Sequence, residues 1–524
     1  MRSMIAALCA ATALSGAVGA HAAPVSTALG QVDGVTVDGV TSYEAIPFAA
    51  PPVGPLRWRP PAPAAPWTGV RSATQFAPAC MQASTANALL GIPALPVSED
   101  CLYLNVWTPP HKAGERLPVL VWIYGGGFTS GATAIPTYSG ESLARKGVVV
   151  VSIAYRLGAF GFLAHPALSA ESGGHGSGDY GLLDQIAGLQ WIKQNIAAFG
   201  GDPSRVAIFG ESAGGIAVSM LAASPRAKGL FQRAISESGG SFAPSRQANE
   251  GGENVPTLAA AEAKGSAFLA SMGATTLDQA RALPAEAIEK AAGPALGGFW
   301  PTADGDVIPG DQYLQYQAGK YNDTPVLIGT NADEGALFIR AITASAYLAN
   351  VHALYGAYAD RILAAYPGGS DAQALRSSRD LMRDTAFAWQ TWAWARLQSR
   401  SGKGKVYVYY FNHRPHYPDL PSFQDWGASH GSEIAYVFGH LDPKTATPED
   451  RAISDALQTY WANFARSGDP NGAGAPVWPA FTEANAAAMH FDNQPNAGTL
   501  PNLDKLKVLE GYYAWRRAGS PPAP

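Results

Sequence analysis

The chain has 524 residues, 47% of them hydrophobic and 15% charged, with 57 Gly and 40 Pro. That composition describes a large globular protein with ample core and many turns, and it excludes a disordered or fibrous chain. A formal charge of −5 and a pI near 6.1 leave no basic footprint for nucleic acid, so electrostatics names no partner.

The first residues have the order of an export leader. Arg2 supplies a positive end, residues 4–18 form an apolar run too short for a stable membrane anchor, and Ala20-His21-Ala22 is a small-x-small cleavage pattern. Residues 1–22 are therefore expected to be a signal peptide, with the mature chain exported to the periplasm or the medium. No later stretch approaches the length of a membrane span. Cys9 lies inside the leader. Cys80 and Cys101 remain, and in an exported chain two cysteines suggest one disulfide closing a surface loop.

Residues 31–40 alternate in a hairpin-like way and carry two Asp-Gly turn signals. The Pro-rich stretch that follows, residues 46–58, cannot be helix and is expected to be a fixed loop packed on the body. Residues 98–107 suggest a strand with a charged entry. Residues 119–124 and 148–154 are near-continuous apolar runs of strand length, as in a parallel sheet covered on both faces. Between them stands Gly125-Gly126-Gly127-Phe128, directly after a strand. Three glycines there let backbone N–H groups turn toward a ligand.

Leu182, Ile186, Leu189, Ile192, Ile196 and Phe199 recur at helical spacing, which predicts an amphipathic helix over 181–199, ended by Gly200-Gly201-Asp202-Pro203. Next comes Arg205-Val206-Ala207-Ile208-Phe209-Gly210-Glu211-Ser212-Ala213-Gly214-Gly215, a short apolar strand, a sharp turn with Ser212 at its apex and the start of a helix. Gly210 and Gly214 bracket the serine as G-x-S-x-G, the pattern of a nucleophile elbow. Such a turn presents the hydroxyl and leaves the following N–H, here of Ala213, to face a developing oxyanion. Beside it, the glycine loop reads as the other half of an oxyanion hole, of the H-G-G-G type with Tyr124 in place of His, and a flexible turn is the alternative. Strand, helix, strand and elbow succeed one another as in a doubly wound α/β fold.

Residues 233–236 suggest the next strand. Residues 241–300 then turn Ala-rich and helical, an expected insertion over the carboxyl edge of the sheet that serves as lid or pocket wall. Phe299 and Trp300, with Phe128, are candidates for the acyl side of a pocket, and plain scaffold is the alternative. Residues 326–329 are another short strand leading to Asp333 and Glu334, where an α/β sheet keeps its catalytic groups; either could be the acid, and Asp333 could instead cap a helix. After an aromatic strand at 406–411, His430 sits in a Gly/Ser turn before a helix. The order Ser212…Glu334…His430 matches Ser…Asp/Glu…His, whereas His413, His416 and His440 lack such a loop.

Taken together these stretches resemble the type-B carboxylesterase and cholinesterase family over nearly the whole mature chain. Glu99-Asp100-Cys101-Leu102-Tyr103-Leu104-Asn105-Val106 looks like the family's second signature, and Phe209-Gly210-Glu211-Ser212-Ala213-Gly214-Gly215 looks like its serine signature. The resemblance implies an α/β-hydrolase fold, a mostly parallel sheet flanked by helices, as one domain over residues 23–524. It implies a carboxylesterase with Ser212 as nucleophile, His430 as general base and Glu334 rather than Asp333 as orienting acid. Gly126, Gly127 and Ala213 would be the oxyanion donors, Cys80–Cys101 a family disulfide, and Ser238 a holder of Glu334. The substrate would be a small-molecule ester, with no cofactor and no metal. A related serine hydrolase acting on amides, carbamates or lactones, or a non-catalytic binding relative, is the alternative. Glu211 is expected to tune the field of the site or to pair with a nearby polar group. Two departures stand out. The loop between Cys80 and Cys101 has no Trp, so choline esters are not expected as the main substrate. Ala45 stands where the family commonly has Gly.

Overall fold

A computed structural model describes residues 20–83, 94–246, 255–293, 298–417, 425–473 and 475–519. Most of the expected leader, including Cys9, lies outside the described residues, as do residues 247–254 and 294–297 of the expected insertion.

The body is built on one sheet of 12 strands. In chain order they are β1 (Ala20–His21), β2 (Val35–Val37), β3 (Val40–Pro47), β4 (Tyr103–Thr108), β5 (Leu117–Ile123), β6 (Val149–Ile153), β7 (Gly201–Glu211), β8 (Arg233–Glu237), β9 (Val326–Asn331), β10 (Val406–Phe411), β11 (Ala487–Phe491) and β12 (Pro495–Thr499). In space they run β1-β2-β3-β4-β6-β5-β7-β8-β9-β10-β11-β12. The seven strands from β6 to β11 pair in parallel, and antiparallel strands finish both edges. β6 and β9 consist of apolar or small residues almost throughout, and these two and the middle of β8 are buried on both alternating faces. Such strands exist only where helices cover the sheet front and back.

Helix α1 (Tyr180–Asn195) continues into a short 3-10 turn, Ile196–Phe199, and Gly200 closes it with φ of 81°. The expected amphipathic character is only partly met. Asp184, Gln185 and Asn195 are buried along with the apolar stripe, because the polar side of α1 is covered too. Asp184 is neutralised there by Arg156, which donates to it through Nε and Nη2 at 2.8 and 2.7 Å. Helix α2 (Ala213–Ala223) is buried at every position and packs on β7 and β8. Three helices, Leu258–Ser271, Leu277–Arg281 and Ala285–Ala292, occupy the Ala-rich region.

Three local expectations are corrected. Of the two Asp-Gly signals, only Asp38-Gly39 makes the β2–β3 hairpin; Asp33-Gly34 carries the chain from a separate three-stranded sheet into β2. The strand expected from residue 98 starts at Tyr103, because Cys101 is bonded to Cys80 and anchors the entry. The Pro-rich stretch begins as strand, since Ile46 and Pro47 end β3, and is irregular after that apart from one 3-10 turn, Gly54–Leu56. The Cys80–Cys101 disulfide closes a segment with a sequence separation of 21, which stabilises the chain by about 3 kcal/mol on a loop-entropy estimate. β1 pairs with β2, so cleavage after Ala22 would remove this two-residue strand. Among the described residues no helix is long and apolar enough to cross a membrane.

Candidate active site

The parallel strands place four chain segments at one edge of the sheet, their carboxyl ends: the glycine loop after β5, the elbow after β7, residues 237–240 after β8 and the acidic loop after β9. This is the edge at which open α/β sheets bind ligands. The histidine loop joins them across a bridge between Asp333 and Ser429.

Ser212 has φ of 55° and ψ of −124°, a strained left-handed conformation for a residue with a side chain. The strain persists because both neighbouring segments are pinned. The Ser212 N–H donates to Glu237 O at 2.9 Å and its carbonyl accepts from Ile216 at 2.8 Å. A Cβ at Gly214 would stand 2.0 Å from the Ile123 carbonyl, and one at Gly210 2.5 Å from the same oxygen. The elbow needs both glycines because β5 runs directly beneath them.

The glycine loop leans on the elbow. A Cβ at Gly125 would meet the Glu211 carbonyl at 2.6 Å and Ser212 Cβ at 3.0 Å. Gly126, Gly127 and Phe128 all have positive φ, of 103°, 61° and 56°. The Gly126 carbonyl is turned inward, accepting from Thr129 and Ser130 at 3.1 and 3.0 Å, while no hydrogen bond among the described residues uses the N–H groups of Gly126, Gly127 or Ala213. Tyr124 locks the entry to the loop by exchanging hydrogen bonds with Tyr155, their rings stacked 4.5 Å apart.

Glu334 is fully buried, with every oxygen engaged. Oε1 accepts from Ser238 Oγ at 2.5 Å and from the Asn331 N–H at 2.7 Å, and Oε2 lies 2.6 Å from His430 Nδ1. Asp333 is exposed and instead accepts from the Ala428 N–H at 2.9 Å, fastening the acidic loop to the histidine loop. It caps no helix, since Glu334 occupies the N-cap position of the short helix Gly335–Phe338. The other histidines lie elsewhere: His413 pairs with Asp450 at 2.7 Å and His440 with the Ser139 carbonyl at 2.8 Å.

The far nitrogen of His430, Nε2, lies 3.2 Å from Glu211 Oε1. Among the described residues no hydrogen bond joins Ser212 Oγ to His430. The imidazole is clamped by aromatic rings, Phe387 stacked at 4.5 Å and Phe338 at 5.2 Å. Burial by itself would lower its pKa, but the carboxylates of Glu211 and Glu334 outweigh that and push it up. Glu211 is in turn raised to about 7, by burial first, with His430 opposing and Glu334 adding.

Sequence reasoning missed a buried acidic layer behind these groups. Glu433 accepts from Asn331 Nδ2, and burial raises its carboxyl well above the usual range. Glu237 accepts from Trp461 Nε1 at 2.7 Å and is raised to about 8, again by burial first. Locally each looks like an ordinary strand-end or helix-start carboxylate. Phe338 and Phe387 were missed for the same reason, since nothing near them in sequence points to His430. Of the candidate pocket aromatics, Phe128 and Trp300 meet edge to face at 4.9 Å, and Phe162 adds to them at 5.1 Å. Phe299 packs instead on Phe268, with Lys264 over its ring at 5.3 Å.

An α/β-hydrolase is the class that the sheet order and the serine elbow define. Within it the chain belongs to the carboxylesterase family, whose model matches residues 21–508. It is 37% identical over 504 residues to the fumonisin B1 esterase of Sphingopyxis macrogoltabida, covering 90% of this chain and 87% of that one. It is 35% identical to the para-nitrobenzyl esterase of Bacillus subtilis (strain 168), covering 93% and 98%. A solved structure of a thermophilic PNB esterase superposes with a TM-score of 0.81 at 35% identity, over 93% of this chain and 99% of that one. The protein is an ester-hydrolysing enzyme.

Proposed function

We propose that Ser212, His430 and Glu334 carry the hydrolysis of a small-molecule carboxylic ester through an acyl-enzyme. The observation that supports this most is the 2.6 Å contact from His430 Nδ1 to a fully buried Glu334, beside a serine held at a strained elbow. Glu334 fixes the tautomer that leaves Nε2 facing the serine side. His430 takes the Ser212 proton, the alkoxide attacks the ester carbonyl, and the N–H groups of Gly126, Gly127 and Ala213 receive the oxyanion. Each such donor is worth about 3 kcal/mol of barrier. The alcohol leaves with the proton from His430, water then attacks the acyl-enzyme, and the acid departs. For the first step Nε2 must exchange its Glu211 neighbour for Ser212 Oγ, a tightening common when an empty site meets its substrate.

Phe128 and Trp300 form the acyl wall in this reading, with Phe299 one layer behind. Trp300→Ala is expected to raise kcat/KM for long acyl chains relative to acetate in a series of p-nitrophenyl esters. Ser212→Ala is expected to abolish p-nitrophenyl acetate hydrolysis while the far-ultraviolet dichroism stays unchanged. Turnover retained in that variant would remove Ser212 from the mechanism. We further take residues 1–22 as an export leader and 23–524 as one domain; N-terminal sequencing of the exported protein, starting at Ala23, checks the first.

A further inference from the structure

The glycine loop is held at its entry, its middle and its exit. Tyr155 locks the entry through Tyr124, and the Gly158 N–H donates to the Phe128 carbonyl at 2.7 Å. The exit, Gly131, is held by a side chain from outside the site. Gln82 Oε1 accepts from the Gly131 N–H at 2.9 Å, and Gln82 Nε2 donates to the Gly131 carbonyl at 2.7 Å. Nε2 also donates to the Cys80 carbonyl at 3.0 Å. A residue that offers one backbone donor and one backbone acceptor admits a single orientation of the amide, so these bonds define where Gln82 stands.

Gln82 is itself fixed. It is buried, and the segment before it, Ala79–Cys80, pairs in parallel with Val97–Ser98. Cys80 is bonded to Cys101 just before β4, so the far end of this clamp is the sheet. At the near end Gly131 is buried and has φ of 122°. A Cβ there would meet the Tyr124 ring at 2.5 Å and the Gly125 carbonyl at 2.7 Å, so the exit of the loop lies against its own entry. Of residues 125–131 only Gly126 and Gly127 are not buried, and theirs are the N–H groups that no hydrogen bond among the described residues uses. The Gly126 carbonyl, through Thr129 and Ser130, ties them to the stretch that ends at Gly131.

The geometry points to Gln82 as a positioning residue for the oxyanion hole, one that aims the Gly126 and Gly127 N–H groups by closing their loop at Gly131. This rests on the acyl-enzyme reading above, in which those donors receive the oxyanion. Gln82 acts through Gly131 and not on the substrate. Without its amide the Gly131 N–H and carbonyl would be buried and unpaired, and the loop would turn or admit water to satisfy them. The aim of the donors matters in the transition state, where the charge develops, and little in ground-state binding. Acylation and deacylation both pass through an oxyanion, so both steps slow together and KM stays where it was.

Gln82→Met in the full-length protein, which keeps the reach of the side chain and loses its hydrogen bonds, tests this with p-nitrophenyl acetate. kcat is expected to fall at least tenfold with KM within twofold, short of the roughly hundredfold or more that follows deletion of a donor outright. An aryl trifluoromethyl ketone, whose adduct with the serine puts an oxyanion in the same hole, should bind weaker by the same factor. Should Gln82→Met fail to fold, Gln82→Glu, which keeps an acceptor for the Gly131 N–H and loses the amide donors, decides alone with the same expected loss of kcat. An unchanged kcat in a folded variant, a change in KM alone, or unchanged ketone binding would each overturn the proposal. Ser212→Ala separates the two failures: turnover retained there removes the acyl-enzyme reading and this proposal with it, whereas an inactive Ser212→Ala beside a fully active Gln82→Met removes the role of Gln82 alone.

Discussion

His430 stands between two carboxylates, Glu334 at 2.6 Å and Glu211 at 3.2 Å. Both favour the imidazolium, which cannot act as a base, so if His430 is the base, as proposed, it is held back to a pH above that at which an isolated histidine deprotonates. The acid limb of kcat/KM reports the free enzyme's base. Removing the Glu211 charge by Glu211→Gln is therefore expected to move that limb to lower pH by about 1 unit, the lower end of what an adjacent charge contributes. A pH–rate profile with p-nitrophenyl acetate reads the shift, and a limb that stays in place would show that Glu211 does not act on the base. At this scale the sequence was informative about identity and silent about contact. Ser212, Glu334 and His430 were legible because each sits in a distinctive turn. The residues alone left Asp333 and Glu334 open, since the two are neighbours with the same chemistry, and it was the family resemblance that favoured Glu334.

Elements hold these residues through places where backbone has no room to spare. Ala45 shows what happens when a side chain is put in one. It lies at a bulge in β3, where pairing with β4 slips between Tyr43 and Ile46, and has φ of 55°. Its N–H donates to Asn105 Oδ1 at 2.9 Å, which ties the bulge to the neighbouring strand. A left-handed alanine costs about 1 kcal/mol, part of which glycine returns through the freedom of the unfolded chain. Ala45→Gly is thus expected to stabilise the protein by roughly 0.5 kcal/mol, read as a raised urea midpoint with unchanged slope. A lowered midpoint would mean that the methyl group contributes more packing than strain. The sequence marked Ala45 as unusual by resemblance alone; only the slipped register explains why glycine suits the position.

Across the whole molecule, the buried acidic layer couples stability to pH. Glu211 and Glu237 ordinarily release protons near 4.5 but are held to about 7 and about 8 by burial. Between those limits the native state binds more protons than the unfolded one, so stability falls as pH rises through the window. His430, raised above its ordinary 6.5, adds the same sign over its own range. Differential scanning calorimetry should therefore give a higher Tm near about pH 6 than near about pH 9, while turnover rises in the same direction that stability falls. A Tm that increased across this interval would contradict the protonated layer.

While the C-terminal strands β11 and β12 went unread, local patterning by itself marked the central strands, the glycine loop, the serine elbow and the candidate order of acid and histidine. These depend on steric and periodic rules that act over a few residues: glycines where backbone must pass close, apolar runs where both faces are covered. The tertiary structure alone decided what those segments touch. It put Glu334, and not Asp333, against His430, separated Phe299 from the Phe128–Trp300 pair, and gathered Glu211, Glu237 and Glu433 around the histidine. Contacts of that kind join residues far apart in sequence, 96 positions for Glu334 and His430, and the desolvation that sets their charge exists only once the sheet and its covering helices have closed around them.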